Sequence, residues 1–168
     1  MFEHFVLTSK KNKVAEFLKA IKKDVPDWKS ELDVDFLDYM WLAEQSDSHK
    51  FDSLSVICAE VVFPMILGNY FILREDGKPV AYSSWGFFSE SISQIKMAAH
   101  RGALVRSDYN TGNTIWLMDV IAPWGHSKKV IQKLLDTKRE LGYTRDNPVN
   151  FRRWYGAERR ERINKAVC

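Results

Sequence analysis

The sequence predicts an α+β fold, a central, mostly antiparallel sheet flanked by helices. Three observations carry that expectation. Helical periodicity opens the chain, a strand–turn–strand unit surrounds Asp76-Gly77, and one strongly apolar strand near residue 118 is followed at once by a helix. With 168 residues and 19.6 kDa, the chain has the length of one domain, 1–168. Residues 1–30 read as an N-terminal helical extension and 142–168 as a basic tail.

The first helix is marked by Val14, Phe17, Leu18 and Ile21 at i, i+3, i+4 and i+7, with Ser9 as cap and Pro26 as stop. A second helix is expected over Leu32–Ala43. There Val34, Leu37 and Trp41 form the inward stripe beside Met40, and Asp33, Asp35 and Asp38 take the wetter positions. The stretch Leu54–Ile66 is too long for a strand and reads as a buried helix broken near Pro64. Tyr70–Arg74, the turn Asp76-Gly77 and Pro79–Trp85 form a hairpin. A polar amphipathic helix, about Glu90–Arg101, leads through a turn region, Ser107–Asn113, to the strand Thr114–Ala122, which Pro123 ends. Another helix covers Ser127–Leu141, with Val130, Leu134 and Leu135 inward. The tail offers a last strand, Asn150–Tyr155, and a basic helix.

Composition excludes several classes. Apolar residues are 45% and charged residues 28%, which argues against disorder. Two cysteines, Cys58 and Cys168, cannot staple a fold, and no His/Cys cluster has metal-ligand spacing, so no metal is expected. A net charge of +3 is not that of a nucleic-acid binder. It averages an acidic front, eight acids against one base over 24–47, and a tail from Lys138 with nine Lys/Arg against four Asp/Glu. The longest apolar run, Val56–Leu67, contains Glu60 and falls short of the roughly 20 residues of a membrane span. With no secretory signal visible, a cytoplasmic location is expected. Aromatic residues reach 13%, six of them Trp, enough for a sizeable core or a lined pocket.

Asp119 is the most informative residue. The strand Ile115-Trp116-Leu117-Met118-Asp119-Val120-Ile121-Ala122 is apolar on both faces, so the carboxylate is buried whichever way it points. An isolated buried carboxylate costs several kcal/mol unless paired or protonated. A structural ion pair would satisfy it, and so would a histidine that it orients for catalysis. Histidine, with a pKa near ~6.5, serves as a base at neutral pH. His4, His100 and His126 read as surface residues. His49 sits in the polar loop Ser46-Asp47-Ser48-His49-Lys50 between apolar helices, where Ser-Asp-Ser is also ordinary helix-capping chemistry.

Two strand motifs then identify a family. Gly77-Lys78-Pro79-Val80-Ala81-Tyr82-Ser83-Ser84-Trp85, with Trp116-Leu117-Met118-Asp119-Val120-Ile121-Ala122-Pro123-Trp124-Gly125, resembles the RTX toxin-activating, or hemolysin-activating, protein lysine acyltransferases. Trp41-Leu42-Ala43 with Ser46 and His49 matches their Trp-Leu…Ser-x-x-His segment, and Trp154-Tyr155-Gly156 is a weaker match to an aromatic-Gly motif. The match covers about half the chain. It implies a GNAT-like acyltransferase fold and transfer of a fatty acyl group from the phosphopantetheine thioester of acyl-carrier protein to internal lysines of an acceptor protein. No bound cofactor is implied. The resemblance assigns catalysis to His49 and Asp119, with Ser46 assisting the histidine, and leaves open whether His49 also carries the acyl group. Trp85, Trp116, Trp124 and Gly125 fall in its motifs as substrate-binding candidates, Trp41 beside them. A homodimer is left open.

Four departures accompany the match. Asp47-Ser48 stand where the toxin activators carry an apolar pair, and the spacing from His49 to Pro64 is slightly longer. Roughly two dozen extra residues precede the match, and the family's long C-terminal portion is cut short. Two other functions fit the same fold. One is a coenzyme A-dependent GNAT N-acetyltransferase, although Trp124-Gly125-His126-Ser127 lacks the usual glycines that cradle pyrophosphate. The other is a non-catalytic interaction or assembly module, such as a phage-encoded one. The separation of His49 from Asp119 discriminates the module from the enzyme.

Overall fold

The computed structural model describes residues 32–98, 103–144, 146–155 and 160–166. The expected first helix with Ser9 and Pro26, together with His4, His100 and the end of the helix near Arg101, lies outside the described residues.

Helix α1 (Leu32–Glu44) forms where expected but presents the opposite face to the protein. Val34 and Leu37 are each 62% exposed and Trp41 is half-exposed, whereas Tyr39, Leu42 and Ala43 are buried. Polar contacts explain the inversion. Asp35 and Asp38 both reach the Arg74 guanidinium of strand β1 (Tyr70–Glu75) at 2.6 Å, and the Tyr70 hydroxyl donates to Asp35. The acids expected to face water instead tie α1 to the sheet.

Residues 54–67 form one helical run rather than a helix broken near Pro64. Helix α2 (Leu54–Ile57), capped by the Ser53 hydroxyl, continues through a π turn (Cys58–Val62) into α3 (Phe63–Leu67). A π turn holds one residue more than an α turn. Pro64 lies inside this run and has no N–H, so carbonyls one turn before it must be satisfied from elsewhere. The Ser84 hydroxyl donates to the Glu60 carbonyl at 2.6 Å, and the Tyr109 hydroxyl donates to that of Ala59. Two side chains thus fasten the π turn.

Asp76 and Gly77 both adopt positive φ, 49° and 76°, the mirror-image turn that suits a two-residue hairpin. That turn joins β1 to β2 (Lys78–Phe88). Helix α4 (Glu90–Ile92) runs into a second π turn (Ser93–Ala98), followed by a 3-10 turn (Arg106–Asp108) and β3 (Thr114–Ile121). Helix α5 (Ser127–Glu140) and strand β4 (Val149–Tyr155) lie where the sequence placed them. Arg160–Ala166, expected as a basic helix, is strand β5. Pairing along the whole of β4 satisfies backbone groups that would otherwise form a bare sheet edge.

The sheet order is β1-β2-β3-β4-β5, antiparallel except for β3 and β4. That parallel ladder covers two pairs, Ile115 with Val149 and Trp116 with Asn150. Helix α5 covers one face, where Leu134 packs with Trp85, Ile115 and Val149. Helix α1 and the two π-containing segments cover the other. There Phe88, Met97, Tyr109 and Trp116 form a second core, and Tyr39 meets Tyr82 edge-on at 5.0 Å. The arrangement is the α+β, mostly antiparallel fold expected for a GNAT-like protein.

Candidate active site

A bulge decides where Asp119 points. On β2 and β3, Ser84 opposes Asp119 while the next residue, Trp85, opposes Leu117, so Met118 is an extra residue on β3. Simple alternation from Trp116 would aim Asp119 towards α5. The inserted residue returns it to the face of Trp116, beneath α1 and the π turn, the re-aiming that bulges provide near functional sites. There Asp119 is 8% exposed.

His49 comes to it from above. The loop after α1 is a run of tight turns: His49 N–H donates to the Ser46 carbonyl and Asp52 N–H to the His49 carbonyl. This holds the imidazole over β3. Across 70 residues of sequence, His49 Nε2 lies 3.0 Å from Asp119 Oδ1. Nδ1 lies 2.6 Å from Ser46 Oγ and 2.9 Å from Ser48 Oγ. A carboxylate only accepts, so in the neutral ring Nε2 carries the proton and Nδ1 is the free base, accepting from the serine hydroxyls. The ring is mostly buried, with 18% of its side chain exposed, and Ser48 is exposed, so the basic edge is reached from solvent through the serines.

The electrostatics favour a charged ring. Burial pulls the His49 pKa down, but the hydrogen bond and charge of Asp119, with the charges of Asp52 and Glu60, outweigh it and leave the pKa above its ordinary value. Burial, then the charge of Asp119, pushes the Glu60 carboxyl up to about 7, with Arg152 opposing. Burial, then the Asp119 carboxylate, also pushes the Tyr39 phenol well above its usual range, so it stays protonated beside Asp119. Asp119 thus has His49 as hydrogen-bond donor and a neutral phenol as neighbour.

The structure brings together His49, Asp119 and Ser46 and separates the tryptophans. Trp85 fills the core on the α5 side, 5% exposed, on the face opposite Asp119. Trp116 is buried in the other core, its indole N–H donating to Ser93 Oγ at 2.8 Å. Both pack in cores, one on each face of the sheet, because a two-faced strand must fill two cores. Trp124 is half-exposed after β3 and lies against Trp41, ring centroids 5.2 Å apart. Gly125 beside it has a φ of 84°, which disfavours any side chain there. His126, read as a surface residue, is partly buried, with Nε2 3.4 Å from Glu75.

Sequence reasoning missed Tyr39, Ser48, Asp52 and Glu60. Glu60 was open to the argument used for Asp119, being a lone acid in an apolar run. Ser48 occupies one of the two departing positions, and the departure sets a second hydroxyl on Nδ1. Tyr39 had no signal, because α1 turns its less obvious face inward. Among the described residues, no group of His, Cys, Asp and Glu could hold a metal ion, and no helix is long and apolar enough to cross a membrane.

Comparison with known proteins places this geometry among relatives. Over 87 residues the chain is 37% identical to the leukotoxin-activating lysine-acyltransferase of Aggregatibacter actinomycetemcomitans, covering 52% of this chain and 51% of that protein. It is 33% identical to the RTX-II toxin-activating lysine-acyltransferase of Actinobacillus pleuropneumoniae over 87 residues, 52% of this chain and 54% of the other. It is also 33% identical to a lysine-acyltransferase of Vibrio cholerae over 75 residues, 44% and 48% of the two chains. The chain therefore matches about half the length of these curated relatives. The model of the RTX toxin acyltransferase family matches residues 36–155, from within α1 to the end of β4, and by that match this chain belongs to the family.

Proposed function

We propose that the chain is a protein lysine acyltransferase, taking a fatty acyl group from the thioester of acyl-carrier protein and giving it to a lysine of an acceptor protein. The observation that carries this reading is the 3.0 Å contact between His49 Nε2 and Asp119 Oδ1, with serine hydroxyls on the other ring nitrogen. A separation beyond one bridging water would have favoured a non-catalytic module.

The acceptor ammonium, with a pKa near ~10.4, must lose a proton before it can attack. Ser46 passes its hydroxyl proton to Nδ1 and takes one from the ammonium. Asp119 holds Nε2–H and stabilises the imidazolium as it forms. The freed amine attacks the thioester carbonyl, the C–N bond forms and the C–S bond breaks. The attacking nitrogen gives its second proton to the departing thiolate, and the proton held on His49 passes to water, which leaves the amide, a free thiol and neutral His49. Exposed Trp41 and Trp124, with Gly125 giving close approach, offer the acyl chain an apolar surface.

Incubating the chain with acyl-acyl-carrier protein and candidate acceptors, then locating acyl-lysine by mass spectrometry, tests the reading. His49→Ala is expected to lower transfer by about 10²–10⁴-fold. Full transfer by that variant would remove His49 from the chemistry.

A further inference from the structure

A second concave site lies on the same sheet face as the His49–Asp119 pair. It is a cleft of roughly 440 Å³ between the α4 segment, the start of β3 and the loop before β4. Trp116 in its wall opposes Gly86 on β2 while Asp119 opposes Ser84, so the cleft begins about 7 Å from Asp119 along the sheet and reaches Thr114, opposite Phe88, at about 13 Å. Neither the dyad nor its serines line it.

The chemistry of its wall is one-sided. Glu90 and Asp146 bring carboxylates, Gln94, Asn113, Asn147 and Asn150 carboxamides, and no Lys or Arg lines it among the described residues. Several of the donors are engaged within the wall. Gln94 Nε2 donates to Glu90 Oε1 at 2.7 Å, Asn150 Nδ2 to the Ile115 carbonyl at 2.9 Å, and Trp116 Nε1 to Ser93 Oγ. The Asn150 side chain is buried, 6% exposed, so its remaining oxygen is a fixed acceptor. What a guest meets is two negative charges with no Lys or Arg among the described lining residues to offset them. Such a wall suits an ammonium or guanidinium and repels acidic or phosphorylated guests.

We infer that this cleft binds a basic side chain of the acceptor polypeptide, near the lysine to be modified. The inference rests on the acyltransferase reading for the identity of the polypeptide. The distance gives it a register. An extended chain rises about 3.3 Å per residue, so a Lys or Arg about three residues from the acceptor lysine reaches the cleft while that lysine lies at His49. Glu90 and Asp146 are then specificity residues, selecting the acceptor without taking part in proton transfer.

The test uses the full chain and two synthetic peptides, each with one central lysine. One carries arginine three residues from it, the other citrulline, which keeps the shape without the charge. Calorimetric titration is expected to show the arginine peptide binding about tenfold tighter. The double variant Glu90→Gln/Asp146→Asn, its fold checked by thermal melting, is expected to abolish that difference. Single variants cover a double variant that fails to fold, each removing part of the preference. Equal binding of the two peptides by the native chain overturns the inference, as does a preference that survives the substitutions. Acyl transfer to the same peptides separates the two claims. An arginine preference without transfer keeps the cleft and fails the acyltransferase reading. Equal binding and equal transfer to both peptides does the reverse.

Discussion

Helices α1 and α5 lie on opposite faces of one sheet, and they obey different rules. In α5 the apolar stripe does what periodicity predicts: Val130 and Leu134 are buried, with Lys138 buried one turn further on. In α1 the corresponding stripe, Val34, Leu37 and Trp41, faces outward, and Tyr39, Leu42 and Ala43 go in. The sheet face each must cover explains the difference. Trp85, Ile115 and Val149 under α5 offer only apolar surface. The face under α1 carries Arg74 and Asp119, which need partners, and α1 supplies Asp35, Asp38 and Tyr39. A buried carboxylate without partners costs more than an exposed valine or leucine gains by burial, so polar demand overrides the apolar stripe. Periodicity therefore identifies scaffold, and its failure marks the site.

Core substitutions should separate the two helices most sharply. Leu134→Ala is expected to lower unfolding stability by about 2–5 kcal/mol, read by denaturant unfolding. Leu37→Ala, at an equivalent-looking position of α1, is expected to stay within about 0.5 kcal/mol. Equal losses would mean that α1 is packed like α5. The next largest effect concerns Glu60. Its pKa is about 7 in the folded chain and ordinary, near 4.5, when unfolded. Between those values the folded state keeps a proton that the unfolded state has lost, so stability falls as pH rises, by about 3 kcal/mol in total. His49, also raised, adds a loss of the same sign above its ordinary value. Glu60→Gln is expected to flatten the first decline in melting temperature and leave the second.

Tyr39→Phe tests the inward polar face of α1 more finely. Removing the phenol hydroxyl beside Asp119 is expected to cost about 1 kcal/mol of stability and to slow transfer about tenfold, with KM for the acceptor unchanged. A variant that is destabilised but transfers at the native rate would make Tyr39 a packing residue alone.

The legible part of the molecule follows the same division. The hairpin announced itself through Asp76-Gly77, β3 through its apolar run, and α5 through its stripe. Asp119 stood out because no apolar strand tolerates a lone acid, and His49 because of the polar loop and motif that carry it. The bulge at Met118 was not legible, since one residue too many in a ladder shows only once the partner strand is known. The cleft beside Trp116 was hidden for a similar reason: Glu90, Trp116 and Asp146 come from three separate segments. Strand β5 escaped because a charged run reveals no face, and only the open edge of β4 makes it a strand.

The central claim is that Asp119 sets the basicity of His49 for acyl transfer. The pH dependence of transfer from acyl-acyl-carrier protein, in the native chain and in Asp119→Asn, tests it most directly. The native rate is expected to rise with pH through a midpoint above 6.5, where His49 loses its proton. In Asp119→Asn the rate should fall about 10²–10⁴-fold and any remaining midpoint should move down. An Asp119→Asn variant with the native rate and the native midpoint would contradict the account.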